Sequence, residues 1–178
     1  NVSSGGGIFL EDCSPNINMV FIVNNLADNG TGIYMGNSNP ILMDVTITGN
    51  SATNEGGGMS LSGSSPTLKD VNITSNSSGL RGGGMTIRLN SAPILMNVTI
   101  SNNFADVWGG GMYLYGANPT LSNVTINGNY GGMGGGMFIE EGSNPTITDV
   151  TITGNEANSG GGGIMLSWSS ATITDVTI

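Results

Sequence analysis

Six prolines punctuate the 178-residue chain at Pro15, Pro40, Pro66, Pro93, Pro119 and Pro145, in steps of 25, 26, 27, 26 and 26 residues. One further step of 26 falls on Ala171, in the same Thr-Ile-Thr-Asp-Val-Thr-Ile surroundings. Glycine triplets keep this interval at Gly56–Gly58, Gly82–Gly84, Gly109–Gly111 and Gly134–Gly136, with Gly30-Thr31-Gly32 in the slot of the first coil. A chain with such a period is built from stacked units, none of which can bury its apolar side alone.

Alignment on proline exposes five apolar columns per coil. Leu42, Leu68, Leu95 and Leu121 stand two residues after it; Val45, Val71, Val98 and Val124 stand five after, and Ile47, Ile73, Ile100 and Ile126 seven after. Met59, Met85, Met112 and Met137 follow the glycines directly, and Leu61, Ile87, Leu114 and Ile139 come two later. Val-x-Ile and Met-x-Leu alternate with the period of a strand and are rich in strand-forming residues. Corner residues, Pro, Gly, Asn and Asp, lie between. Each coil therefore reads as three short strands. Stacked coils would set equivalent residues ~4.8 Å apart. The expected fold is all-β: a parallel β-helix (β-solenoid) of about seven coils of ~26 residues.

A leucine-rich repeat also tolerates this period. The position two after each asparagine, a leucine in that fold, is here Ala27, Ala52, Ser78, Ala105, Gly131 and Ala157. Its helical return path would fall on the glycines, each costing about 1 kcal/mol in a helix. The solenoid reading is retained.

Composition narrows the chemistry. The chain has no histidine and one cysteine, Cys13, so an imidazole relay and a zinc site both lack their residues. The net charge of −9 leaves three cations, Lys69, Arg81 and Arg88, which argues against nucleic acid as a partner. The longest apolar run, Met19–Val23, is far short of the ~20 residues of a membrane-spanning helix.

The pairing of Ile-x-x-Asn (Ile47 to Asn50, Ile73 to Asn76) with Gly-Gly-Gly-Met (Gly82 to Met85) resembles the Phe-x-x-Asn and Gly-Gly-Ala-Ile/Leu/Val motifs of polymorphic outer-membrane-protein repeats. Those repeats belong to bacterial surface passengers of the right-handed, pectate-lyase-like β-helix superfamily. The resemblance covers the whole chain, with Ile replacing the family Phe and no membrane β-barrel translocator among these residues. It implies a right-handed solenoid at the cell surface or outside the cell. It further implies a structural, non-catalytic role as an adhesin-like stalk or filament building block. The same superfamily hosts polysaccharide lyases and hydrolases, which is the alternative; Asp44, Lys69 and Asp70 are the nearest match to their acid-plus-cation clusters.

Several columns could carry chemistry. Asparagine recurs at 25, 50, 76, 103, 129 and 155, as expected of an amide ladder running coil to coil. Four after each proline stands an acid-rich column in which Asp44–Asp70 and Asp149–Asp175 are like-charged neighbours. These are weak calcium candidates, oxygen ligands suiting that ion; otherwise no metal or cofactor is expected. Thr46 and Thr48, Thr74, Thr99, Thr125, Thr151 and Thr153 suggest an outward array similar to those of ice-binding solenoids, interrupted by Phe21, Asn72 and Asn127. Phe104, Trp108, Tyr113, Tyr115, Tyr130 and Phe138 cluster within 35 residues and read as an outward contact patch for carbohydrate or a neighbouring copy. The column Glu55, Arg81, Trp108 reads as an ion pair feeding a cation–π contact, repeated by Arg88 beside Tyr115.

Residues 1–178 thus read as a single repeat array. Asn1 starts partway round a coil and Ile178 stops inside a strand, so the array is expected to be uncapped at both ends. Either a longer array or self-association, end to end or lateral, would follow.

Overall fold

The computed structural model describes residues 2–178 and winds them into a solenoid of three parallel sheets. A coil is counted from one proline position to the next. The post-proline sheet holds two short strands in each of coils 1–3, for example Ile41–Met43 and Thr46–Thr48. In coils 4–6 each pair fuses into one strand: Ile94–Ser101, Thr120–Asn127 and Thr146–Thr153. The post-asparagine sheet stacks seven strands, among them Ser51–Glu55, Phe104–Trp108 and Tyr130–Met133. The post-glycine sheet stacks Ile8–Glu11, Ile33–Gly36, Met59–Ser62, Met85–Arg88, Met112–Tyr115, Met137–Glu140 and Ile164–Ser167.

The expected columns are in register. Leu42, Leu68, Leu95 and Leu121 are successive strand partners, as are Ile47, Ile73, Ile100 and Ile126, and Met59, Met85, Met112 and Met137. All these side chains are fully buried in one continuous apolar core. Each contributes roughly 1.5–3 kcal/mol of burial, offset by the entropy of ordering the chain. The inward set is larger than five. Ala27, Ala52, Ser78 and Ala105 are also buried, a sixth slot held by small residues.

Corners explain the polar columns. Asp44, Asp70, Asn97, Asn123, Asp149 and Asp175 all have φ between 52° and 56°. This left-handed joint between the two halves of the post-proline path favours Asp and Asn, whose short side chains can bond locally. The first glycine of each triplet makes a second left-handed corner (Gly56, φ 66°). The third must lack a side chain for another reason: a Cβ on Gly58 would meet the Gly84 carbonyl oxygen at 2.5 Å.

The asparagine ladder is continuous. The Asn76 Oδ1 accepts from both the backbone N–H (3.0 Å) and the Nδ2 (2.9 Å) of Asn50, while its own Nδ2 donates to Ile47 O and Asn103 Oδ1. The same bonds recur from Asn25 to Asn155. A second ladder stands two residues before each proline: backbone N–H groups of Cys13, Ser38 and Ser64 donate to the hydroxyls of Ser38, Ser64 and Ser91. It resumes from Ala117 to Ser143 and on to Ser169. Among the described residues, no helix is long and apolar enough to cross a membrane.

Candidate functional site

The corner from the post-asparagine to the post-glycine sheet is concave. The left-handed glycine turns the chain so sharply that a Cβ on Gly56 would lie 2.8 Å from that of Ser60, and the Thr86 hydroxyl donates back to Arg81 O at 3.1 Å. The outward row of the post-glycine sheet therefore faces the residues that precede each triplet, Glu55, Arg81 and Trp108. Ser60 and Thr86 are fully covered there, although they alternate with the core residues.

This geometry corrects the expected aromatic patch. Tyr113 and Phe138 do lie on the outward row, but at 1% and 4% exposure they form the floor of the corner rather than an open surface. Trp108 packs over them, with ring centroids 6.1 Å from Tyr113 and 6.2 Å from Phe138, and Tyr115 stays 40% exposed beside them. Phe104 and Tyr130 stack at 5.2 Å. They belong to the outer face of the post-asparagine sheet, where the Tyr130 hydroxyl donates to Asn158. One sequence cluster has become two surfaces.

A cleft of about 390 Å³ opens at this corner, lined by Arg81, Arg88, Leu89, Trp108, Tyr113, Tyr115 and Glu140. Two of the chain's three cations meet three of its aromatic side chains there. The repeat departs from its interval at the same place. Strand register pairs Ser62 with Arg88 and Arg88 with Tyr115, so the 27-residue step from Pro66 to Pro93 inserts one residue at Leu89–Asn90. Both carry positive φ. Coil 5 has a matching extra residue at Glu141–Gly142, and the facing strands shift register between Ala105 and Trp108. Insertions in a solenoid gather on one face, often the binding face.

The ionic pairing also differs from the expected column. Glu55 and Arg81 are neighbours in the sheet, yet Glu55 Oε1 pairs with Arg88 NH2 at 2.6 Å. The Arg81 guanidinium is then free to sit over the Trp108 ring at 4.6 Å and the Tyr113 ring at 5.4 Å. So the cation–π contact at Arg81 stands, its expected Glu55 partner does not, and Arg88 serves an ion pair instead of Tyr115. The Tyr113 hydroxyl donates to Glu140 Oε1. Burial, then the adjoining Glu140 carboxylate, push the Tyr113 phenol well above the ordinary tyrosine value, so it acts as a donor and not as a base.

The other candidates lie elsewhere. Asp44, Asp70, Asp149 and Asp175 occupy the left-handed joints of the post-proline sheet. Asp70 accepts from Asn97 Nδ2 at 3.0 Å and meets Lys69 at 3.9 Å. Among the described residues no three or more acidic, cysteine or histidine side chains converge as a metal would need. Thr46, Thr99, Thr125 and Thr151 share a column, as do Thr48, Thr74 and Thr153, with Asn72, Ser101 and Asn127 between them. Leu89 and Glu140 were not among the sequence candidates. The 27-residue step pointed at the first, while the second needed the strand register that sets Glu140 beside Tyr115.

No curated protein and no solved structure matches the chain significantly. A family model does: residues 6–178 match the family described as a right-handed β-helix region. Matching nearly the whole chain, and agreeing with three stacked parallel sheets around a single core, this places the protein in the right-handed β-helix family.

Proposed function

We propose that the protein is a non-catalytic, extracellular or cell-surface solenoid, an adhesin-like rod that presents the coil 2–5 corner as its contact surface, with carbohydrate as the partner. One observation carries the reading. Ladders, core and corners repeat from coil to coil, whereas two of the three cations, three aromatic side chains and the extra residue at Leu89–Asn90 depart from the repeat together at one cleft. A repeated column supports the rod; an unrepeated cluster is where recognition belongs. Aromatic faces beside polar tips suit a sugar ring, apolar on its faces and hydroxylated at its edge. The motif resemblance to bacterial surface passengers supports the location.

Retention on polysaccharide-coated beads tests this. The wild type is expected to be retained without shortening the polymer, with or without calcium. Trp108→Ala and Tyr115→Ala should reduce retention while leaving the circular dichroism of the sheets intact. Release of shorter fragments would instead establish the lyase or hydrolase alternative, and equal retention of both variants would move the contact surface elsewhere.

A further inference from the structure

We propose that the coil 3–5 cleft selects a hydroxylated ring carrying a single carboxylate, with the acid group on Arg81 and the hydroxyls toward Glu140. This deepens the contact-surface reading above and rests on it. The cleft is polarised along the solenoid axis. Arg81 and Arg88 lie in coil 3, Trp108, Tyr113 and Tyr115 in coil 4, and Glu140 in coil 5.

At the cationic end, Arg88 is already committed to Glu55, and Lys69 lies beside Asp70. Arg81 alone has no carboxylate in ion-pair reach among the described residues, and its Nε, like that of Arg88, is buried with no hydrogen-bond partner. A guanidinium offers only donors, in a planar fork that matches a carboxylate. Trp108 and Tyr113 hold that fork in place from one side.

The far end has the opposite preference. Glu140 stands about 9.6 Å along the axis from the Arg88 row, two strand spacings away. One of its oxygens takes the Tyr113 hydroxyl. An ionised carboxylate only accepts, so its remaining capacity calls for hydroxyl donors and rejects a second acid. Between the two ends, Trp108, the exposed Tyr115 and the exposed Leu89 offer an apolar bed for a ring face. The volume of about 390 Å³ is near the lower end of small-molecule sites. Two sources share this chemistry, a uronic-acid sugar ring and an aromatic hydroxy acid.

Trp108 and Trp168 are the chain's two indoles, and Trp168 is exposed outside the cleft. Trp168→Phe therefore leaves Trp108 as the fluorescent reporter. This protein would be titrated with galacturonate and glucuronate oligomers, with their neutral hexose counterparts, and with 4-hydroxybenzoate. At least one acid should quench Trp108 and bind about tenfold more tightly than its neutral counterpart; which acid does so identifies the source. Arg81→Gln should remove that preference and Arg81→Lys should keep part of it, each with unchanged unfolding temperature. Neutral sugars binding as tightly as acids, or Arg81→Gln retaining the preference, would overturn the carboxylate assignment and leave the contact surface standing. No ligand binding while beads still retain the protein would also overturn it. Loss of both would remove the contact-surface reading as well.

Discussion

Glu55 and Arg88 meet at 2.6 Å across a concave corner, tying the end of one coil's post-asparagine strand to the end of the next coil's post-glycine strand. Their side chains are 10% and 29% exposed, between the surface case, worth ~0.2–1 kcal/mol, and the fully buried case, where removing one partner costs ~3–5 kcal/mol. Glu55→Gln is expected to lower stability by about 2 kcal/mol. A double-mutant cycle with Arg88→Met in urea should return most of that loss as coupling. Additive losses would mean that the two side chains do not meet.

Asn76→Ala would strand the buried backbone N–H of Asn50, whose Nδ2 keeps the carbonyls of Ile22 and Thr48. An orphaned buried donor costs ~1–3 kcal/mol, so a loss of that size is expected from chemical denaturation. Asn127→Ala, exposed on the post-proline face, should stay within ~0.5 kcal/mol of wild type.

Gly58→Ala and Gly142→Ala separate crowding from backbone strain. A methyl on Gly58 meets the Gly84 carbonyl at 2.5 Å and the Ile73 side chain at 2.8 Å, so adjacent coils must part. Gly142 has φ +72° but nothing within 4 Å of the added carbon. The second should cost ~1–2 kcal/mol, the penalty of a left-handed alanine. The first should cost several times that, measured as the difference in thermal midpoint.

Tyr113 gives the protein an alkaline limit. Its folded-state phenol is raised above the unfolded value of about 10 by burial and by Glu140. Below that pH the group is protonated in both states and its stabilising effect is fully present. As pH rises beyond it, the unfolded chain releases the proton first, so stability falls. Tyr113→Phe should flatten the decline in a denaturation series taken above pH 10. An unchanged slope would show that the phenol ionises as freely in the folded chain as in the unfolded one.

Most of the architecture was legible because each coil repeats the same physical problem. Leu68, Val71, Ile73 and Asn76 say little singly, but their recurrence at one interval identifies inward slots and a ladder. Ser38, Ser64 and Ser91 carried the same signal and were readable by the same alignment. Ala52 and Ala105 looked like evidence against another fold before they proved to be core. The site was less legible for a different reason. Strand alternation placed Tyr113 outward, but only the sharpness of the glycine corner covers it. Likewise Glu55 and Arg81 share a column, yet Glu55 pairs with Arg88 at the end of the next coil's post-glycine strand.

The ladder of amides has a consequence for how such a molecule can change. Because Asn50, Asn76 and Asn103 make interchangeable bonds, a whole turn copied into the chain finds its partners ready-made, and a lost turn leaves none stranded. The cleft obeys no such exchange, since Arg81 and Trp108 each occur once in their column. Length and cleft can then evolve on separate clocks: the solenoid lengthens by duplication, while the cleft changes one side chain at a time.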